Sequence, residues 1–262
     1  MSGAAVLRGI VRAALVGFIL APLIVAVGSS FSGGSVPEFP PREPSLKWYA
    51  HIFSQSVFIE AARNSLLLAL LATLINLPLA LAAAYAIVRG RFPGREAIQT
   101  FLMSPLIVPA VVTGIAILLA FSQMGWRHTL SRLLLAHVVI TLPYLIRTVV
   151  ASLSRVDAAC EEAARTLGAT PLKTFILVTL PQLLPGVLAG AVFAFIISFD
   201  NVSVSLFLTS AKQNTLPIAI LAYVEYNLDP SIAAVSTVLI AVTLILTLVI
   251  ERVAGLRRTL GH

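Results

Sequence analysis

Long stretches of this chain carry no charge, and that constrains its fold more than any other feature. A helix crosses the hydrocarbon of a bilayer with about 20 mainly apolar residues, and six runs of that order occur. They are Ala13 to Val36, whose apolar part ends near Gly28; Asn64 to Val88; Ala97 to Trp126, spanning from about Phe101; Leu133 to Ser154, interrupted by Arg147; Thr174 to Phe199; and Pro230 to Ile250. Pro181 and Pro185 make the entry to the fifth irregular, so that span is placed near Leu183 to Leu208, which includes Asp200. Pro105 and Pro109 are expected to break or bend the third. Only 11% of the residues are charged, against about a quarter in soluble domains, so the chain cannot cover a water-facing surface. The expected fold class is an all-α integral membrane protein with six transmembrane helices, forming a single domain over residues 1–262.

The net charge is +7. In a soluble protein that balance raises nucleic-acid binding, but here the basic residues fall between apolar runs and report topology. With the N-terminus inside, eleven Lys and Arg residues flank the inner ends: Arg8, Arg12, Arg89, Arg91, Arg95, Arg155, Arg165, Lys173, Arg252, Arg257 and Arg258. Six flank the outer ends: Arg42, Lys47, Arg63, Arg127, Arg132 and Lys212. The positive-inside rule then places both termini in the cytoplasm. Arg147 lies roughly 21 Å along its helix from Leu133 at 1.5 Å per residue, within snorkelling reach of the inner interface. Arg8, Arg12, a short apolar region and Ala26-Val27-Gly28 also fit a cleavable signal peptide, which would leave five spans. The single cysteine, Cys160, forms neither an internal disulfide nor a zinc site on its own.

The connection between spans four and five, about residues 155–181, has the clearest local signals. Asp157 can cap a helix. Ala158 to Leu167 is strong helix former, and Gly168 suits the left-handed position past its end. Thr170 and Pro171 suit the cap and first residue of a second helix. Ala159, Ala163 and Leu167 share one face, with Glu161, Glu162 and Arg165 supplying charge around it. Such a helix either docks on a partner or lies solvated on its own protein.

Glu162-Ala163-Ala164, three residues, Gly168, nine residues, Val178, one residue, Leu180-Pro181 resembles the EAA loop of ABC importer permeases of type I; Ile usually stands where Val178 does. Further stretches are similar to polyamine-type permeases, above all the second permease of spermidine/putrescine importers: Ser45 to Tyr49, Asn64 to Leu66, Pro105 to Pro109, Ser198-Phe-Asp200, Thr215 to Pro217, Asp229-Pro230 and Ala233 to Thr237. The resemblance implies a type I permease fold in a bacterial inner membrane, working by alternating access. It implies that Glu162, Ala163, Ala164 and Gly168 couple to cytoplasmic ATPase subunits. It also implies a second permease subunit, a paralogue, and an extracytoplasmic solute-binding protein. The chain has no Gly-x-x-x-x-Gly-Lys-Ser/Thr loop. ATP and Mg are therefore expected on the partner ATPase, with no cofactor on this chain.

Asp200, with Asn201 and Ser198, is the candidate substrate path. An acid in the membrane usually faces a partner or a wet cavity; Asp200 is either a counter-charge for a polyammonium cargo or a packing carboxylate satisfied within the fold. Glu225, Tyr226 and Asp229 lie in the last outer segment and read either as a solvated loop or as groups that help receive a cation or a binding protein, the solvated loop being the favoured reading. His137 reads as a packed or hydrogen-bonded residue, since no ligand cluster accompanies it. No catalytic residues are assigned, because neither Gly-x-Ser-x-Gly nor His-Glu-x-x-His occurs. Related permeases carry other solutes, including amino acid-like compounds, phosphonates and ferric iron. A self-contained channel or an intramembrane enzyme are the readings from other classes.

Overall fold

The computed structural model describes residues 3–210 and 213–259. Lys212 lies outside the described residues, as do the side chains of Arg8, Arg252, Arg257 and Arg258. The order is α1 (Gly3–Ser29), α2 (Lys47–Ser54), α3 (Ser56–Arg89), α4 (Arg95–Met103), α5 (Ala110–Gln123), α6 (Thr129–Leu153), α7 (Ala158–Thr166), α8 (Pro171–Thr174), α9 (Leu180–Phe199), α10 (Ser205–Leu208), α11 (Leu216–Tyr226) and α12 (Ser231–Thr259). Among the described residues there is no strand, only two isolated bridges, Ser32 to Pro44 and Ser210 to Gln213.

Among the described residues, four uninterrupted helical segments are long and apolar enough to cross a membrane: Gly9–Ser29, Ser56–Arg89, Thr129–Leu153 and Pro171–Phe199. A fifth forms if α4 and α5 count as one bent span. By length and apolarity the described residues thus hold four or five spans, against the six expected. The sixth run falls on α12, whose shorter apolar part is Ser231–Ile245.

The third run is bent by 102°. Pro105 opens a 3₁₀ turn, Ser104–Leu106, and Pro109 is the extended residue before α5, with ψ 131°. Each proline lacks an N–H; Ser104 before Pro105 stays helical at φ −56° and ψ −33°, and the chain turns at Pro109, whose ψ of 131° leaves the helical region. In the fifth run the irregularity lies earlier than expected, in a π-helical segment, Phe175–Thr179, where Leu180 N–H reaches back to Phe175 O. Pro181 has no N–H for Leu177 O, which favours the wider register; Pro185 sits within α9 without a break.

The placement of this span at Leu183 to Leu208 is corrected. The helix ends at Phe199, Asp200 is its C-cap, and Asn201 Oδ1 accepts from Val204 N at 2.9 Å to turn the chain into α10. Hydropathy missed this end because Val202 to Leu208 is still mostly apolar, whereas the helix stops where backbone bonding stops.

The chain divides into two compact units. The first comprises residues 1–59 and 219–247. Its α1 exposes Leu7, Phe18 and Ile24 along its length, as a lipid-facing helix should. After α1 the chain is pinned by Ser30 Oγ and Tyr49 OH at 2.6 Å, by Trp48 Nε1 donating to Gly34 O at 3.2 Å, and by Phe31 against Tyr49.

The second unit comprises residues 60–218 and 248–262. Ala80, Ala84 and Ile87 of α3 pack with Leu145, Ile146, Val149 and Leu153 of α6 and with Leu183 and Val187 of α9. Small residues bring α6 and α9 close: a Cβ on Gly186 would overlap Ser152, and one on Gly190 would overlap Thr148. A second cluster joins Leu68, Phe121, Leu133, Ala136 and Ile140 to Val204 and Leu208.

Candidate coupling loop and polar cluster

The loop between α6 and α9 adopts the expected helix, turn and helix. Asp157 Oδ1 accepts from Ala159 N at 2.9 Å and caps α7. Gly168 has φ +85°, a conformation that costs other residues roughly 1–2 kcal/mol. Its N–H donates to Arg165 O, and that of Ala169 to Ala164 O, closing the helix end. Thr170 Oγ1 then accepts from Lys173 N at 3.4 Å, with Pro171 as the first residue of α8.

Glu162, Ala163 and Gly168 are exposed, Ala164 is half-buried, and Leu167 is 89% exposed. Ala159 and Cys160 are also exposed. Leu167 thus presents an apolar side chain outward beside the small side chains of Ala159 and Ala163. Glu161 departs from the reading of it as a surface charge, since it is only 4% exposed. It lies 3.3 Å from Arg89 Nε and accepts from Thr179 Oγ1 at 3.1 Å. Sequence alone could not separate Glu161 from Glu162, because neighbouring positions on one helix turn differ only through what packs on them.

A polar cluster crosses the second unit. His137 Nδ1 lies 2.8 Å from Ser198 Oγ, and its Nε2 lies 3.1 Å from Ser205 Oγ. Thr141 Oγ1 donates to His137 O at 2.6 Å and accepts from Asn76 Nδ2 at 2.8 Å, while Asn76 also donates to Val138 O at 3.1 Å. All five side chains are buried. Both ring nitrogens of His137 are thus hydrogen-bonded, and the ring ties α6 to the last turn of α9 and to α10. Asn76, Thr141 and Ser205 were not singled out in the sequence; the available signal was polar residues inside otherwise apolar runs.

The three substrate-path candidates sit in different environments. Ser198 is buried against His137, and Asn201 is committed to Val204 N. Asp200 is exposed, and among the described residues no hydrogen bond or ion pair reaches its carboxylate. It caps the C-terminal end of α9, where the helix dipole disfavours negative charge.

In the first unit Glu225 and Tyr226 are exposed, but Asp229 is held. Tyr223 OH donates to its Oδ2 at 2.7 Å and Ser231 N to its Oδ1 at 2.9 Å. Partial burial raises the Asp229 carboxyl pKa, but those bonds, the Ser231 side chain and the nearby His51 outweigh burial and leave it below the ordinary value. Among the described residues no three His, Cys, Asp or Glu side chains gather to hold a metal.

An exposed helix-turn-helix on a bundle of apolar helices is the architecture of a type I ABC importer permease, a transport subunit rather than an enzyme. Residues 76–257 match the family of binding-protein-dependent transport system inner membrane components, and the chain belongs to that family. It is 31% identical over 230 residues to the putrescine transport system permease protein PotI of Escherichia coli, covering 85% of this chain and 82% of that one. It is also 31% identical over 233 residues to the spermidine/putrescine permease PotC of Haemophilus influenzae, covering 87% and 89%. A solved bacterial ABC transporter that imports the acidic polysaccharide alginate has the same fold, with TM-score 0.71 at 20% identity over 97% of this chain and 98% of that one.

Proposed function

We propose that this chain is the permease subunit through which a polyamine of the spermidine/putrescine class crosses the inner membrane. The exposed coupling loop is the observation that carries the importer reading. Glu162, Ala163, Ala164 and Gly168 form the surface that enters a cleft on a cytoplasmic ATPase subunit, and ATP and Mg reside on that partner. A second permease, a paralogue of this chain, completes the pathway, and an extracytoplasmic binding protein delivers the solute. Both termini lie in the cytoplasm, in keeping with the distribution of Lys and Arg.

The cargo reading is supported by the two polyamine relatives and by Asp200. An exposed, unpaired acid at a helix C-terminus gains from a cation brought to it. Asp200 supplies the counter-charge. Asn201 shapes the turn that presents it, and Ser198 fixes the end of α9 through His137. The alginate importer shows that one fold carries very different cargo, so amino acid-like compounds, phosphonates and ferric iron form the competing reading.

Uptake of radiolabelled putrescine into proteoliposomes holding the assembled transporter tests both parts. Replacing Glu162 and Gly168 together should abolish ATPase recovery and uptake. Asp200→Asn should lower uptake while the complex still assembles. Intact uptake in the first variant sinks the coupling reading; unchanged uptake kinetics in the second remove Asp200 from the path.

A further inference from the structure

We propose that Glu161 is a positioning residue that locks α7 to the ends of α3 and α9, so that a displacement of α7 moves both spans together. The proposal rests on the coupling reading above and adds the route by which motion leaves the docking helix.

The geometry converges on one carboxylate. Glu161 Oε1 accepts from Thr179 Oγ1 at 3.1 Å and from Arg89 Nε at 3.3 Å, and Oε2 lies 4.0 Å from Arg165 Nη2. Arg89 Nη2 donates to Val156 O at 2.8 Å, in the turn that leads into α7. Arg165 Nη2 also donates to Tyr85 OH at 3.4 Å, and the Tyr85 ring meets Phe175 edge-on at 5.6 Å between centroids. Thus α3 contributes Tyr85 and Arg89, α7 contributes Glu161 and Arg165, and the π segment contributes Phe175 and Thr179.

Burial gives the junction its stiffness. Glu161 and Thr179 are both buried, and a carboxylate out of water is held wherever its donors are. Buried ion pairs are weak sources of net stability compared with apolar packing, so a geometric role accounts better for one at this junction. Without the lock, the covalent route from α7 to α9 runs through the Gly168 turn and α8, leaving only side-chain packing between α7 and the π segment, which is a place where a helix yields without breaking. With the lock, Thr179 ties the far end of that segment directly to the docking helix.

The test uses the assembled transporter in proteoliposomes, with Cys160→Ser and Val202→Cys providing one thiol just past α9. The readout is the change in maleimide labelling of that thiol when ATP and Mg are added, which needs no knowledge of the cargo. In the parent the labelling rate should change with ATP. Glu161→Gln and Arg89→Gln should each reduce that change at least fivefold while ATPase subunits remain bound and hydrolyse ATP. Thr179→Ser should keep the response and Thr179→Val should lose part of it. A full ATP response in assembled Glu161→Gln and Arg89→Gln transporters overturns the proposal, as does a parent with no ATP response. Loss of the ATPase subunits from both variants marks a merely structural residue and also counts against it. Failure of the parent itself to recover ATPase subunits overturns the coupling reading.

Discussion

Replacing Gly190 with alanine tests the close contact between α6 and α9. The new Cβ would overlap Thr148 Oγ1, lie 2.6 Å from Leu145 Cδ1 and 3.2 Å from Thr148 Cβ. Leu145 is fully buried, so it has no open space to rotate into. Overpacking of this kind costs about 1–3 kcal/mol, and overlap with two side chains puts it near the upper end. Alanine is intrinsically better than glycine in a helix by about 1 kcal/mol, which offsets part of that. The net loss is then about 2 kcal/mol, a shift of roughly 30-fold in the folding equilibrium. Reversible unfolding in mixed SDS–detergent micelles measures it. The same substitution in a Thr148→Ala background should lose part of its cost, because the hydroxyl that overlaps the Cβ is gone while Leu145 still stands against it. If Gly190→Ala matches or exceeds the parent in both backgrounds, the helices are not in the contact described.

Three further outcomes follow from named contacts. His137→Phe leaves Ser198 and Ser205 without their partner and should destabilise the chain by about 1–3 kcal/mol for each unsatisfied group; His137→Gln, which can keep one bond, should lose less in the same unfolding assay. Gly168→Val places a β-branched residue at φ +85° and should cost at least about 1–2 kcal/mol locally, read as weakened recovery of ATPase subunits on co-purification. Asp229 has its folded pKa below the ordinary value, so its stabilisation is fully present above the unfolded carboxylate pKa of about 3.9 and fades as pH falls through the still lower folded value. The Tm difference between the parent and Asp229→Asn should therefore shrink from neutral pH toward pH 3, and a difference independent of pH would refute that account.

Local chemistry made much of this protein legible in its sequence. The uncharged runs marked where helices lie, because lipid tolerates no unsatisfied backbone and few charges. Asp157, Gly168, Thr170 and Pro171 wrote the helix-turn-helix between α6 and α9 residue by residue, since caps and left-handed turns depend on side chains only a few positions away. Pro105 and Pro109 announced a bend, though not its angle of 102°. Packing decided the rest. Which of Glu161 and Glu162 is buried depends on Arg89 and Thr179, far away in the chain. Whether Ser198 and Asp200 share an environment depends on His137 of another helix and on where α9 stops. Hydropathy fixes which segments leave water, but only the contacts between helices determine which polar group is paired, which is left exposed, and therefore which is free to meet a partner or a solute.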